Sequence, residues 1–153
     1  MVTVVVVGLE PQLQWRRFCR QVLTVADAVN ASSVITLGAL LADVPHTRPV
    51  EIYGATEDPV LMEQLDLSPS TYEGPTGIVG VLTTEAAAAG HATTTYWAAV
   101  PSYVPGAPSP KAALALLHRV TETLGTTVFL TDLEIAAASY ERQVDELVAD
   151  DED

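Results

Sequence analysis

The densest run of chemically able side chains in this sequence is Asp43-Val44-Pro45-His46-Thr47-Arg48-Pro49. An imidazole close to a carboxylate can act as a general base with its own orienter, giving Asp43 and His46 as catalytic candidates. A guanidinium can clamp a carboxylate or phosphate through two parallel hydrogen bonds, which makes Arg48, with Thr47 beside it, a ligand-binding candidate. Pro45 and Pro49 fix two φ angles and push Val44 and Arg48 out of the helical region, so the loop is stiff. The same residues have an architectural reading: Asp43 and Thr47 cap the loop's own backbone while Arg48 pairs with a nearby acid.

Two further clusters could join this loop. In Tyr72-Glu73-Gly74-Pro75-Thr76-Gly77, the free amides of a helix opening at Gly77 can hold an anion. This makes Glu73 and Thr76 ligand-binding candidates, against a reading in which Thr76 is an N-cap and Glu73 a turn residue. The spacing is that of neither a phosphate loop nor a dinucleotide fingerprint. Lys111 follows Ser109-Pro110 in the first turn of a helix, where a cation is unfavourable unless it meets an anion. There is no Gly-x-Ser-x-Gly elbow and no Cys/His metal spacing, so neither metal nor cofactor is expected. His91 and His118 read as surface or satisfied core histidines. Cys19 lies on the apolar stripe of a helix and reads as buried and inert.

The elements that would position these residues alternate along the chain. Residues 3–7, Thr-Val-Val-Val-Val, have the continuous apolar pattern of a strand buried in a parallel sheet. Residues 11–29 place Trp15, Phe18, Cys19, Val22, Leu23, Ala26 and Val29 at helical spacing, with Arg16, Arg17 and Arg20 largely on the solvated side. A strand follows at residues 33–37, so the first 37 residues read as a right-handed βαβ unit. Residues 50–56 form a strand whose direction the sequence does not reveal. Asp58 caps a short helix to Leu65, and another runs from about Thr76 to Ala89, with Gly90 as its stop. A buried strand at 93–100 leads into a proline-rich loop and a helix that Gly125 closes. Residues 128–130 are a short extended piece. Thr131-x-x-Glu134 fits a capping box for a final helix with Leu133, Ala137, Tyr140, Val144 and Leu147 on one face.

This order gives one α/β domain, residues 1–149, with a mostly parallel central sheet and an acidic tail at 150–153. The net charge is −13, with six of the twenty acids in the last ten residues. An acidic surface repels nucleic acid and anionic membrane, so neither is expected as a partner. No apolar run reaches a membrane-spanning length, and the first residues lack the features of a signal peptide. The single cysteine excludes an internal disulfide, and a cytoplasmic protein is expected.

Gly38–Pro49, Tyr72–Gly80 and Trp97–Val104 with Ser109-Pro110-Lys111 resemble, in residues and spacing, actinobacterial members of the proteasome assembly chaperone 2 (PAC2) family. The resemblance covers essentially the whole chain. It implies a three-layer α/β/α fold similar to nucleoside phosphorylases and related hydrolases. It also implies a homo-oligomer, with a trimer as the candidate stoichiometry, and a protein partner. Similar relatives carry a longer N-terminal region and continue past the acidic stretch, so segments at both ends are expected to be missing here. The eukaryotic namesakes are non-enzymatic chaperones of the proteasome's α-ring, and partners of theirs use a C-terminal hydrophobic-Tyr-x tail that Asp151-Glu152-Asp153 does not match. Two functions follow. The first is a non-catalytic oligomeric assembly or protein-interaction module. The alternative is a phosphorylase- or hydrolase-type enzyme acting on an anionic substrate at the Asp43–Arg48 loop, with Arg48 and Lys111 holding the anion.

Overall fold

Local signals set the helices. The computed structural model describes residues 2–70, 73, 77–104 and 106–150. Helix α1, Trp15–Ala28, buries Cys19 and Leu23, two members of the expected stripe. Helix α2, Pro59–Leu65, opens where Asp58 Oδ1 accepts from the amides of Val60 and Leu61 at 2.8 and 3.3 Å, with proline in the first turn. Helix α4, Pro110–Leu124, opens on Ser109 Oγ, which accepts from Ala112 N at 3.2 Å, and closes at Gly125 with φ 58°. Helix α5, Thr131–Asp150, begins one residue earlier than a capping box requires, since Glu134 N already donates to Leu130 O at 2.8 Å. Thr131 therefore lies within the first turn.

The strands are β1 (Ser33–Ala42), β2 (Ile52–Thr56) and β3 (Ala92–Pro101), in the order β1-β3-β2. β1 runs parallel to β3 from Ser33 opposite Ala92 to Ala42 opposite Pro101, five residues beyond the expected end at Leu37. A neighbour along its whole length keeps it extended where periodicity alone gave no sign. β2 is antiparallel to β3, so the sheet is mixed rather than mostly parallel. An alternating apolar pattern reads the same in either strand direction, which is why the sequence left this open.

β3 is the centre. Partners in register share a face, so Thr36 and Trp97 face one side and Tyr96 the other. Thr36 Oγ1 meets Thr83 Oγ1 of helix α3, Ile78–Ala88, at 2.9 Å. Tyr96 Oη meets Thr123 Oγ1 of α4 at 2.7 Å. Thus α3, with α1 against it, covers one face, and α4, with α5 against it, covers the other. Two glycines make room for the aromatics. A Cβ on Gly38 would stand 2.5 Å from Trp97, and one on Gly54 would stand 2.7 Å from both Tyr96 and Leu67. Tyr96 is fully buried, with the Arg119 guanidinium 5.5 Å from its ring centre.

Residues 3–7 form no strand and complete no βαβ unit. Val2, Val5 and Val7 are 90%, 78% and 90% exposed. A strand needs a neighbour to take its backbone hydrogen bonds, and among the described residues none is paired with this run. Residues 128–130 join no strand among the described residues, and Phe129 stands fully exposed.

Candidate functional site

The loop after β1 is built around His46. Its backbone N–H donates to Tyr103 Oη at 2.8 Å, and its Nδ1 lies 2.7 Å from the same oxygen. Its Nε2 lies 2.8 Å from Asp145 Oδ1. Because the phenol already accepts the amide, its own O–H is free to donate to Nδ1. The neutral imidazole that fits carries its proton on Nε2 and donates it to Asp145. The two rings meet edge-on at 5.9 Å. Lys111 Nζ donates to the carbonyl of His46 at 2.5 Å and pairs with Glu141 at 3.2 Å. Glu141 and Asp145 are four residues apart on α5, so one face of that helix presents both acids. Glu141 is the anion that Lys111, in the first turn of α4, requires.

Tyr103, His46 and Asp145 have the hydroxyl–imidazole–carboxylate order of a nucleophilic triad and lie at the surface, with Tyr103 46% exposed and the Asp145 side chain 59%. Both imidazole nitrogens are engaged, and Tyr103 spends its donor and an acceptor position on His46. No buried side-chain nitrogen or oxygen among the described residues lacks a hydrogen-bond partner. These bonds tie the β1 and β3 loops to α4 and α5.

The sequence-derived candidates divide accordingly. His46 and Lys111 meet, through the backbone carbonyl of His46. Asp43 does not orient His46; Asp145 stands there instead. Asp43, Thr47, Arg48 and Glu73 are exposed. Among the described residues Arg48 has no carboxylate partner, and neither Asp43 nor Thr47 caps the loop; its turn is closed by Arg48 N donating to Pro45 O at 3.2 Å. Thr76, with Tyr72, Gly74 and Pro75, lies outside the described residues. The anion at the start of α3 is internal: Glu10 Oε1 accepts from Ile78 N at 2.9 Å. Tyr103, Glu141 and Asp145 are the site residues that sequence reasoning missed. The usable signal was the i, i+4 pair of acids beside the buried stripe of α5.

Elsewhere, His91 lies 3.1 Å from Asp27 Oδ1 and 3.3 Å from the carbonyl of Ala31. Cys19 is fully buried, and burial, aided by the charge of Glu85, pushes its thiol above the ordinary value. Open grooves of about 330 and 280 Å³ lie away from His46, one along residues 126–131 and one between Pro11 and Gln21. No group of three or more His, Cys, Asp or Glu among the described residues is placed to hold a metal.

These features define a mixed-sheet α/β sandwich whose polar cluster is bonded to itself. Its family is PAC2: the model of that family matches residues 2–148, and the chain belongs to it. A PAC2 family protein from Streptomyces avermitilis superposes with a TM-score of 0.85 at 45% identity, over 92% of this chain and 60% of its own. A proteasome-assembly chaperone homologue from Mycobacterium tuberculosis gives 0.82 at 47% identity, over 93% of this chain and 60% of its own. At 23% identity, an archaeal homologue of proteasome-assembly chaperone from Pyrococcus furiosus shares the fold, with a TM-score of 0.69 over 94% of this chain and 64% of its own. The chain thus spans 60% of the length of the first two relatives. A search of curated proteins returned no match.

Proposed function

We propose that this chain is a non-catalytic assembly or protein-interaction module of the proteasome-assembly-chaperone kind, working in the cytoplasm as a homo-oligomer. The observation that carries this is surface. A compact monomer of 16.2 kDa exposes about 7,500 Å², whereas this chain exposes 10419 Å². The excess, roughly 3,000 Å², is the size of an obligate interface. Much of it is apolar, on residues 2–9, on Leu37 and Leu41 of β1, and on Val128 and Phe129. The mycobacterial homologue supports the chaperone assignment, and a trimer is the stoichiometry the family resemblance favours. The parallel β1–β3 pairing is compatible with a larger, mostly parallel, phosphorylase-like sheet.

Two assays on the purified chain test this. Light scattering of a mixture with proteasome subunits from the source organism should show a stable complex. A thermal-shift panel of nucleosides, phosphate, nucleotides and small carboxylates should show no stabilisation that depends on Arg48. Stabilisation by an anion that Arg48→Ala abolishes, without a subunit complex, would overturn the module in favour of an enzyme at the Asp43–Arg48 loop.

A further inference from the structure

β1 and β3 run parallel and end side by side, Ala42 opposite Pro101, so the loops that follow leave from the same edge of the sheet. In α/β folds the carboxyl ends of the strands are where ligands bind. Tyr103 stands there in a turn closed by Val104 N donating to Pro101 O at 3.4 Å, and Ser102 N donates to Ala42 O at 3.0 Å. The turn holds the phenol half out of the protein, while the His46 side chain beside it is only 9% exposed. The hydroxyl thus faces outward and the base lies behind it.

The bonds around that oxygen are those a nucleophile needs. Tyr103 Oη donates to His46 Nδ1, which can take the phenolic proton, and accepts the His46 backbone N–H, which stabilises negative charge as the proton leaves. Asp145 on Nε2 fixes the tautomer and stabilises the imidazolium that forms. Tyr53 is the contrast within the same molecule. It is 52% exposed, but its hydroxyl donates to Glu51 Oε2 at 2.8 Å, and that carboxylate holds the phenol above its ordinary value.

We propose that Tyr103 is a nucleophile that accepts an acyl group from an uncharged activated ester, with His46 as its general base and Asp145 as a positioning residue. Tyr103 Oη bonds to the acyl carbon as the bond from that carbon to the leaving oxygen breaks. The phenolic proton passes to His46 Nδ1 and from there to the leaving oxygen; nothing is oxidised or reduced. Charge favours an ester over a phosphoryl donor. Asp145 lies against the ring, and Lys111, the cation of the cluster, is already paired with Glu141, so an anionic donor would meet carboxylates. Acceptance of one group per chain needs no turnover, so the proposal goes beyond the interaction-module reading and does not depend on it.

Treating the whole chain with p-nitrophenyl acetate at neutral pH, and timing acetyl-tyrosine by peptide mass spectrometry, tests this. Tyr103 should be acetylated about 100-fold faster than Tyr53, the low end of what a positioned base contributes. His46→Gln and Asp145→Asn, each with an unchanged circular dichroism spectrum, should bring Tyr103 towards the rate of Tyr53 and leave Tyr53 unaffected. Asp145→Glu, which keeps the carboxylate, should recover part of the loss. Release of p-nitrophenolate should show a fast phase of one equivalent per chain that Tyr103→Phe abolishes. Equal rates at the two tyrosines, or a fast Tyr103 in His46→Gln, would overturn the proposal. A complex with proteasome subunits formed in spite of such a result would leave the module reading standing.

Discussion

Residues 3–7 and residues 93–100 are similar in the sequence, two β-favouring apolar runs each opening on threonine, yet they end at opposite extremes of burial. Tyr96 and Ala98 are fully buried, while Val5 and Val7 are 78% and 90% exposed. The difference lies in what flanks each run. β3 has a strand on both edges and a helix on both faces, with Gly38 and Gly54 opposite its two aromatics. Among the described residues the N-terminal run has no strand beside it. Apolarity makes a strand worth burying; only neighbours bury it.

The comparison can be broken most violently at the centre. Gly38→Val and Gly54→Val each force a side chain into Trp97 or into Tyr96 and Leu67, and each should cost about 3 kcal/mol in urea unfolding. Equal tolerance of valine at both sites would mean that β3 is not the packed axis. A smaller effect is expected at the His46 cluster. His46→Ala removes its ring's bonds to Tyr103 and Asp145 and should cost about 2 kcal/mol, with faster hydrogen exchange in α5. Unchanged exchange in α5 would show that the cluster holds nothing together.

A third effect is confined to alkaline pH. Burial raises the thiol of Cys19 above its ordinary value, 9.0, so the unfolded chain releases that proton first. The contribution is therefore fully present below pH 9.0 and is lost as pH rises through the folded value. Cys19→Ala should flatten the fall in stability above that pH, and an identical slope in both proteins would refute the assignment. Smallest of all, Arg48→Ala and Val7→Thr, both at exposed positions, should change single-chain stability by less than about 0.5 kcal/mol. A larger loss in dilute monomer would mean that one of these residues is packed in solution.

The part of this fold that the sequence discloses is the local part. Asp58 with Pro59, Ser109 with Pro110, and Gly125 each act within a few residues, and each stands where its chemistry places it. The stripe of α1 is legible for the same reason. Contacts between distant segments are not. Glu10 reaches the start of α3 across 68 residues, and Asp145 reaches His46 across 99. No spacing rule connects such pairs, so Asp43, close to His46 in sequence, looked the natural partner. Family resemblance extends further than periodicity: it placed the chain among PAC2 proteins before any strand was paired. It did not say which polar residues would prove to be spent on one another.

The most direct test of the account is hydrogen–deuterium exchange of the intact chain at high and low concentration. The account predicts that β3 stays protected throughout, and that the exposed apolar residues of 2–9 and 128–129 exchange more slowly at high concentration than on dilution, as copies associate. Exchange of those residues at one rate at every concentration, or loss of protection in β3, would contradict it.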